Sequence, residues 1–219
     1  MQQMAVAAGT EAEVWETLTA AMGLTGASVG QRWTAPAGRW RILRLGYSLT
    51  GKLNHPATAE ATGLEVDKYD ARAVRDYLNH YLNQYAAITG PSLFGARGLR
   101  ALLTDSIEVG ASNWTPDLLA QFRARRGYDA AQWLPALTGI AIGTPTQRDG
   151  FLYDFRATLA ELLVENHYGT IAQVAAERGL ALYGEALEVG RPVLGDDMAM
   201  RRFTQVPMAA LWTYSPASG

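Results

Sequence analysis

The stretch Gly98-Leu99-Arg100-Ala101-Leu102-Leu103-Thr104-Asp105-Ser106-Ile107-Glu108 (98–108) decides the fold. Its short apolar run, Leu99 to Leu103, predicts a strand, and the chain then empties at once into two carboxylates. Leu180-Ala181-Leu182-Tyr183 repeats the plan, running into Gly184-Glu185 with Glu188 just beyond. Trp40 to Leu45, bounded by Gly38 and Gly46, predicts another strand, leading into a polar loop (46–63) that carries Lys52, Asn54 and His55. Phe203 to Val206 is a candidate fourth strand. Reactive residues of parallel α/β folds gather at such strand ends.

Helical periodicity fills the intervals. Val74, Tyr77, Leu78, Tyr81, Leu82 and Tyr85 recur at i, i+3, i+4 and i+7, predicting a helix over 69–87 with these side chains as its buried stripe. Thr115-Pro116-Asp117 predicts a helix start with Thr115 at the N-cap and Pro116 at N1, and Arg123, Arg125 and Arg126 before Gly127 predict its end. A shorter helix is expected from Asp129 to about Pro135. The pattern is helical again over 148–178, with Gly169 as the expected break. Strands alternating with helices argue a parallel sheet with crossover helices. Three or four strands in 219 residues fall short of a closed (β/α)₈ barrel, which typically needs ~250 residues. The expectation is therefore α/β, part of a (β/α)₈ TIM-type barrel that is incomplete in this chain. Residues 1–38 would form an N-terminal linker or hairpin region, and 39–219 the partial barrel.

Composition narrows the function. Nineteen Lys+Arg against 21 Asp+Glu give a net charge of −2, and 48% of residues are hydrophobic. Six Trp, ten Tyr and five Phe argue against a disordered chain. The absence of a basic run argues against nucleic acid, and no apolar stretch reaches the ~20 residues of a membrane helix. Without cysteine there is no disulfide, thiolate nucleophile or zinc-thiolate site. The opening MQQMAVAAGTEAEVW lacks the basic region of a signal peptide.

Carboxylates from different strands converging on one mouth, beside aromatic platforms such as Trp114 and Trp212, are what sugar hydrolysis requires. One acid protonates the departing oxygen, and a second carboxylate activates water or attacks. The plainer reading makes these groups helix caps and solvated loop acids. Lys52-Leu53-Asn54-His55 has no glycine spacing of a phosphate loop. His55, His80 and His167 are not spaced as a metal pair: His55 reads as a loop hydrogen-bonder, His80 as exposed and His167 as a capping or packing group. Asn113-Trp114-Thr115 formally matches a glycosylation acceptor, but with Pro116 following, a site-lining or turn role suits Asn113 better.

Specific strings go further. Asp105-Ser106-Ile107-Glu108-Val109-Gly110-Ala111-Ser112-Asn113-Trp114-Thr115-Pro116 resembles the D-S-x-E-x-G-x-x-N-W-T-P signature of glycoside hydrolase family 106, the α-L-rhamnosidases. Arg125-Arg126-Gly127-Tyr128-Asp129, Leu134 to Gly139, Phe151 to Thr158 and Glu165 to Gly169 continue the likeness. Upstream, Arg44 to Tyr47, Thr50-Gly51-Lys52, Asn54 to Ala57 and Gly63 to Lys68 do too. The resemblance spans about 33–212. It implies a large multidomain enzyme, periplasmic or secreted, whose (β/α)₈ barrel inverts the anomeric centre of α-L-rhamnosides with calcium at the sugar site. Its substrates would be rhamnose-containing glycosides or polysaccharides. Its partners would be the remaining barrel strands and accessory domains, with no nucleic acid or membrane involved. Glu108 then carries over as one catalytic carboxylate, with Asp105 beside it and Glu185 as a third site carboxylate. Asn113, Trp114, His55, Lys52 and Trp212 are the substrate-binding candidates.

One segment departs from the pattern. Where the family reads Asp-Ile-Pro-Met-Gly-Glu-Phe-Trp, this chain reads Gln205-Val206-Pro207-Met208-Ala209-Ala210-Leu211-Trp212. The second catalytic carboxylate is expected at Ala210, and alanine transfers no proton. Two readings follow: a segment of an inverting α-L-rhamnosidase, or a degenerate, non-catalytic barrel piece that at most binds sugar.

Overall fold

The computed structural model describes residues 2–8, 37–39, 43–108, 110–186 and 194–211. In chain order, strands β1 (Gln2–Ala8) and β2 (Leu43–Leu49) precede helix α1 (Ala71–Thr89), strand β3 (Ala101–Thr104) and helix α2 (Leu118–Arg126). After a 3₁₀ segment (Ala131–Thr138) come α3 (Pro145–Leu162), a π-helical stretch (Leu163–Gly169) and α4 (Thr170–Glu177). Strand β4 (Ala181–Gly184), α5 (Asp197–Arg201) and β5 (Val206–Pro207) follow.

The two stretches that suggested a parallel sheet form one. Strand β3 pairs with β4 in parallel, Leu102 beside Leu182 and Leu103 beside Tyr183. β4 in turn pairs with β5, Tyr183 beside Val206. Alternate side chains face opposite sides of a sheet, and the two sides differ. On one, Leu182 (fully buried) packs with Val74 of α1 and Ile171 of α4, joined by the partly buried Leu78 and Leu102. Leu82, Val174, Ala175 and Leu180 extend that core. On the other, the row Leu103, Tyr183 and Val206 is exposed. The α/β expectation holds in its coarser form, as a small parallel sheet with helices.

Several local expectations change. Strand β2 runs to Leu49, four residues past its predicted end, and pairs with β1 rather than joining the parallel sheet. Trp40 to Ile42 lie outside the described residues. Asp70 caps α1 by accepting from the Arg72 and Ala73 N–H groups, at 2.9 and 3.4 Å. Val74 and Leu82 are buried as predicted, but Tyr77, Tyr81 and Tyr85 are exposed. Periodicity identifies a shared helix face, not what covers it. Thr115 caps nothing: its hydroxyl donates to Asp67 Oδ2 at 2.9 Å, and α2 begins only at Leu118. Gly169 breaks nothing either, keeping helical angles (φ −60°, ψ −43°) between the π stretch and α4. The Phe203 ring packs here, 3.4 Å from where a Cβ on Gly169 would stand.

By contacts the chain divides into two units, one comprising 49–115 with 159–219 and the other 2–48 with 116–158. The second unit is organised by aromatic rings. Phe122 meets Tyr128 edge-on with centroids 5.0 Å apart, and Phe151 lies 5.8 Å from both Phe122 and Phe155. Gly127 ends α2 in the left-handed region (φ 80°), after three arginines that complement the helix dipole. Helix α3 starts earlier than predicted, at Pro145. Thr144 Oγ1 accepts from Gln147 N at 3.2 Å and Gln147 Oε1 from Thr144 N at 2.9 Å, a reciprocal cap with proline at N1.

Candidate functional site

The strand ends lie along one edge of the sheet because pairing continues past the strands. Glu185 N donates to Thr104 O at 3.1 Å, Ile107 N to Ala186 O at 3.4 Å, and Met208 N to Gly184 O at 2.8 Å. Gly184 permits this closeness, since a Cβ there would stand 2.3 Å from Thr104 Oγ1 and 3.2 Å from Thr204 Cγ2. Asp105 and Glu108 follow β3, Glu185 follows β4, and Ala209-Ala210 follow β5. Position 210, where the resemblance expects a carboxylate, is an exposed methyl at this same edge.

Ser106 joins the first two acids. Its N–H donates to Asp105 Oδ1 at 2.8 Å and its hydroxyl to Glu108 Oε1 at 3.0 Å. Gln205, where the family has an acid, has a structural task. Its Oε1 accepts from Leu182 N at 2.6 Å while its own N–H donates to Leu182 O at 2.9 Å. The amide thus extends the ladder on the edge of β4 that β5 occupies.

The loop before α1 is closed on itself. Leu53 bridges Leu64, Asn54 Nδ2 donates to Ala61 O at 2.9 Å, and Asn54 Oδ1 accepts from Gly63 N at 2.7 Å. His55, followed by a cis peptide to Pro56, sits exposed on that loop. Lys52 is exposed, with its Cε beside Gly110 in the turn after Glu108. The loop exit is anchored from below. Asp67 accepts from Tyr69 N and Thr115 Oγ1, Tyr69 Oη donates to Ser112 O at 2.9 Å, and Asn166 Nδ2 donates to Tyr69 O at 2.7 Å. Burial raises the Asp67 carboxyl above the usual range, and the two hydrogen bonds partly offset it.

A cleft of about 520 Å³ opens between this loop, α1 and the end of β3. It brings together two sequence-predicted residues, His55 and Asp105, with Glu65, Lys68, Tyr81 and His167, which sequence reasoning did not select as site residues. Lys68 is 7% exposed and paired with Glu65. The His167 ring shows part of its surface, yet its Nδ1 is buried without a hydrogen-bond partner. Desolvation first, and then the Lys68 charge, hold the imidazole well below its ordinary range, so it is neutral. The Tyr81 hydroxyl is pushed up to about 12, first by its 3.3 Å bond to Tyr85 and then by desolvation. Tyr81 lay on the stripe assigned to the core, and the one available signal for His167 was its string Glu165 to Gly169. The π-helical stretch that carries it is a feature frequent at functional sites.

The other predicted residues lie elsewhere. Asn113 is half-buried, and Trp114 is 7% exposed within the core, with no open ring face for a sugar. Trp212 and Glu188 lie outside the described residues. Among the described residues no three His, Asp or Glu side chains gather as a metal-ion site, and no helix is long and apolar enough to cross a membrane.

The chain is similar to known proteins. The structure of a rhamnosidase from Novosphingobium sp. PP1Y is similar with a TM-score of 0.79 and 63% sequence identity, covering 84% of this chain and 18% of that one. A curated protein of Formosa agariphila named "Putative beta-glucuronidase" is 34% identical over 187 residues, 83% of this chain and 15% of its own length. The chain thus spans less than a fifth of either relative. The profile of glycoside hydrolase family 106, described as alpha-L-rhamnosidase, matches residues 5–219. The chain belongs to glycoside hydrolase family 106, the α-L-rhamnosidases.

Proposed function

We propose that this chain carries strand-end acids of a glycosidase acting on α-L-rhamnosides, within a (β/α)₈ barrel of which 39–219 form a part. The observation that carries this reading is the shared edge: three adjacent parallel strands end with Asp105 and Glu108, Glu185, and position 210. The uncovered row Leu103, Tyr183 and Val206 also suits it, because parallel sheets are normally covered on both faces. The two relatives are named for glycosidase activities on different sugars, so the choice of rhamnose rests on the family profile and the rhamnosidase.

On this reading Glu108 is one of two proton-handling carboxylates, Asp105 and Glu185 hold sugar hydroxyls, and inversion places the catalytic pair roughly 6.5–9.5 Å apart around a water. Calcium is implied by the family resemblance. Among the described residues Asp105, Glu108 and Glu185 do not gather as a cage that would hold it. The second reading, binding without turnover, is favoured by Ala210, which supplies no proton.

Calorimetric titration of L-rhamnose tests the assignment. Asp105→Ala and Glu108→Gln should each weaken binding about tenfold, while Asp76→Asn, on the exposed side of α1, should not. Three superimposable titrations would remove the strand-end acids from the site.

A further inference from the structure

The unit built from 116–158 contains a second cleft, of about 370 Å³, lined among others by Tyr128, Gln132, Trp133, Gln147, Gly150 and Asp154. Its floor is aromatic. The Trp133 ring stacks near-parallel on Phe151 (centroids 6.3 Å apart, planes at 24°) and is itself half-buried, with Phe151 fully packed behind it. Its rim is polar. Asp154 Oδ2 accepts from Tyr128 Oη at 2.9 Å, one of about four lone-pair sites on the carboxylate. The Gln147 Oε1 is committed to the Thr144 N–H, which fixes that side chain and leaves its NH₂ as the donor end. Gln132 adds an exposed amide. Gly150, in α3, leaves the rim low: a Cβ there would meet nothing within 4 Å.

We propose that this cleft is a non-catalytic binding site for a neutral pyranose unit of a glycan. A pyranose has an apolar C–H face and a rim of hydroxyls that both donate and accept. The cleft offers the complement: a rigid indole face for the first, and a carboxylate acceptor with carboxamides for the second. The reciprocal cap on Thr144 and the ring packing behind Trp133 hold these groups in place before any ligand arrives, which lowers the ordering cost of binding. The inference belongs to the other unit of the chain, uses none of the strand-end acids, and does not rest on the hydrolase reading.

The test uses the full chain titrated with methyl α-L-rhamnopyranoside, methyl α-D-glucopyranoside and, separately, choline. Binding is read from the Trp133 indole N–H resonance. Saturable pyranoside binding on the order of 1 mM is expected. Gly150→Gln places a good helix former and a side chain into the cleft, and should weaken binding at least tenfold with an unchanged or higher melting temperature. Asp154→Asn should weaken it similarly, and Asp76→Asn, which lies outside the cleft, should leave it unchanged. Four results would overturn the proposal: no saturation by about 10 mM with either sugar, equal binding in Gly150→Gln, binding of choline but not of pyranosides, or a loss confined to Asp105→Ala. The last would assign the sugar to the strand ends and leave the proposed function standing.

Discussion

In residues 116–158, Phe122 and Phe151 are buried to 1% exposure or less, and Phe122 of α2 meets both Tyr128 and the α3 ring of Phe151. In the parallel sheet, Leu182 is fully buried while its sheet neighbours' opposite face leaves Leu103 at 62% exposure. The aromatic region satisfies itself with its own side chains, whereas the sheet is finished on the helix side alone. That difference separates what the sequence builds for stability from what it leaves available. The candidate chemistry lies at the edge of the one-sided sheet, and the pyranose cleft on the surface of the closed cluster.

The largest expected effect tests the closed region. Phe122→Ala should cost about 3–5 kcal/mol in urea unfolding, because no neighbouring ring can fill the gap without leaving its own contacts. Next come the two faces of the sheet. Leu182→Ala should cost about 2–5 kcal/mol, against about 0.5 kcal/mol or less for Leu103→Ala. Comparable losses for the two leucines would mean that the second face is covered in solution and that the sheet is not one-sided.

What was legible in the sequence followed from local physics. The apolar runs at 101–104 and 181–184 are short, end at turns and carry acids beyond, and the structure keeps them as neighbouring strands. The three exposed tyrosines of α1 show where such reasoning stops, since the heptad places them with Val74 and Leu82 but is silent about what lies opposite. Thr115 looked like a cap because caps are local. Its partner, Asp67, lies 48 residues away, and nothing in the neighbouring sequence indicates it. Gly169 looked like a break because glycine usually is one, yet it keeps helical angles in an unbroken helical run. The cap Thr144-Pro145-Thr146-Gln147 is a local signal, and it starts α3 three residues before the apolar periodicity indicates. In the candidate site, the acids were legible as strand-end residues, while Lys68 and His167 reach the cleft only through tertiary folding.

A smaller effect comes from pH. His167 is held neutral in the folded chain, with a pKa well below its ordinary value of 6.5. The unfolded chain therefore takes up a proton that the folded chain refuses, once pH falls below about 6.5. Stability from this group is present above that value and is lost on acidification toward the folded pKa. The slope is at most about 1.4 kcal/mol per pH unit for one proton. His167→Gln should flatten unfolding free energy against pH between about 6.5 and 5 by up to that slope. Lys68, paired with Glu65, acts on the ring in the same direction as burial. An unchanged slope would mean that the imidazole is solvated and that the cleft is wetter than its packing shows.

If Asp105 and Glu108, Glu185 and position 210 form one glycosidase edge, hydrolysis of an aryl α-L-rhamnoside must depend on position 210. The chain as it stands, with a methyl at Ala210, should give no measurable turnover. Joined to the remaining strands of the family, Ala210→Glu should raise the rate by at least ~10²-fold, the contribution of one acid–base group. Azide added to the alanine form should restore part of that rate if the missing group is the base, because a small anion replaces a base and not an acid. Substantial turnover with Ala210 in place, abolished by Glu185→Gln, would contradict the account by placing the second carboxylate elsewhere.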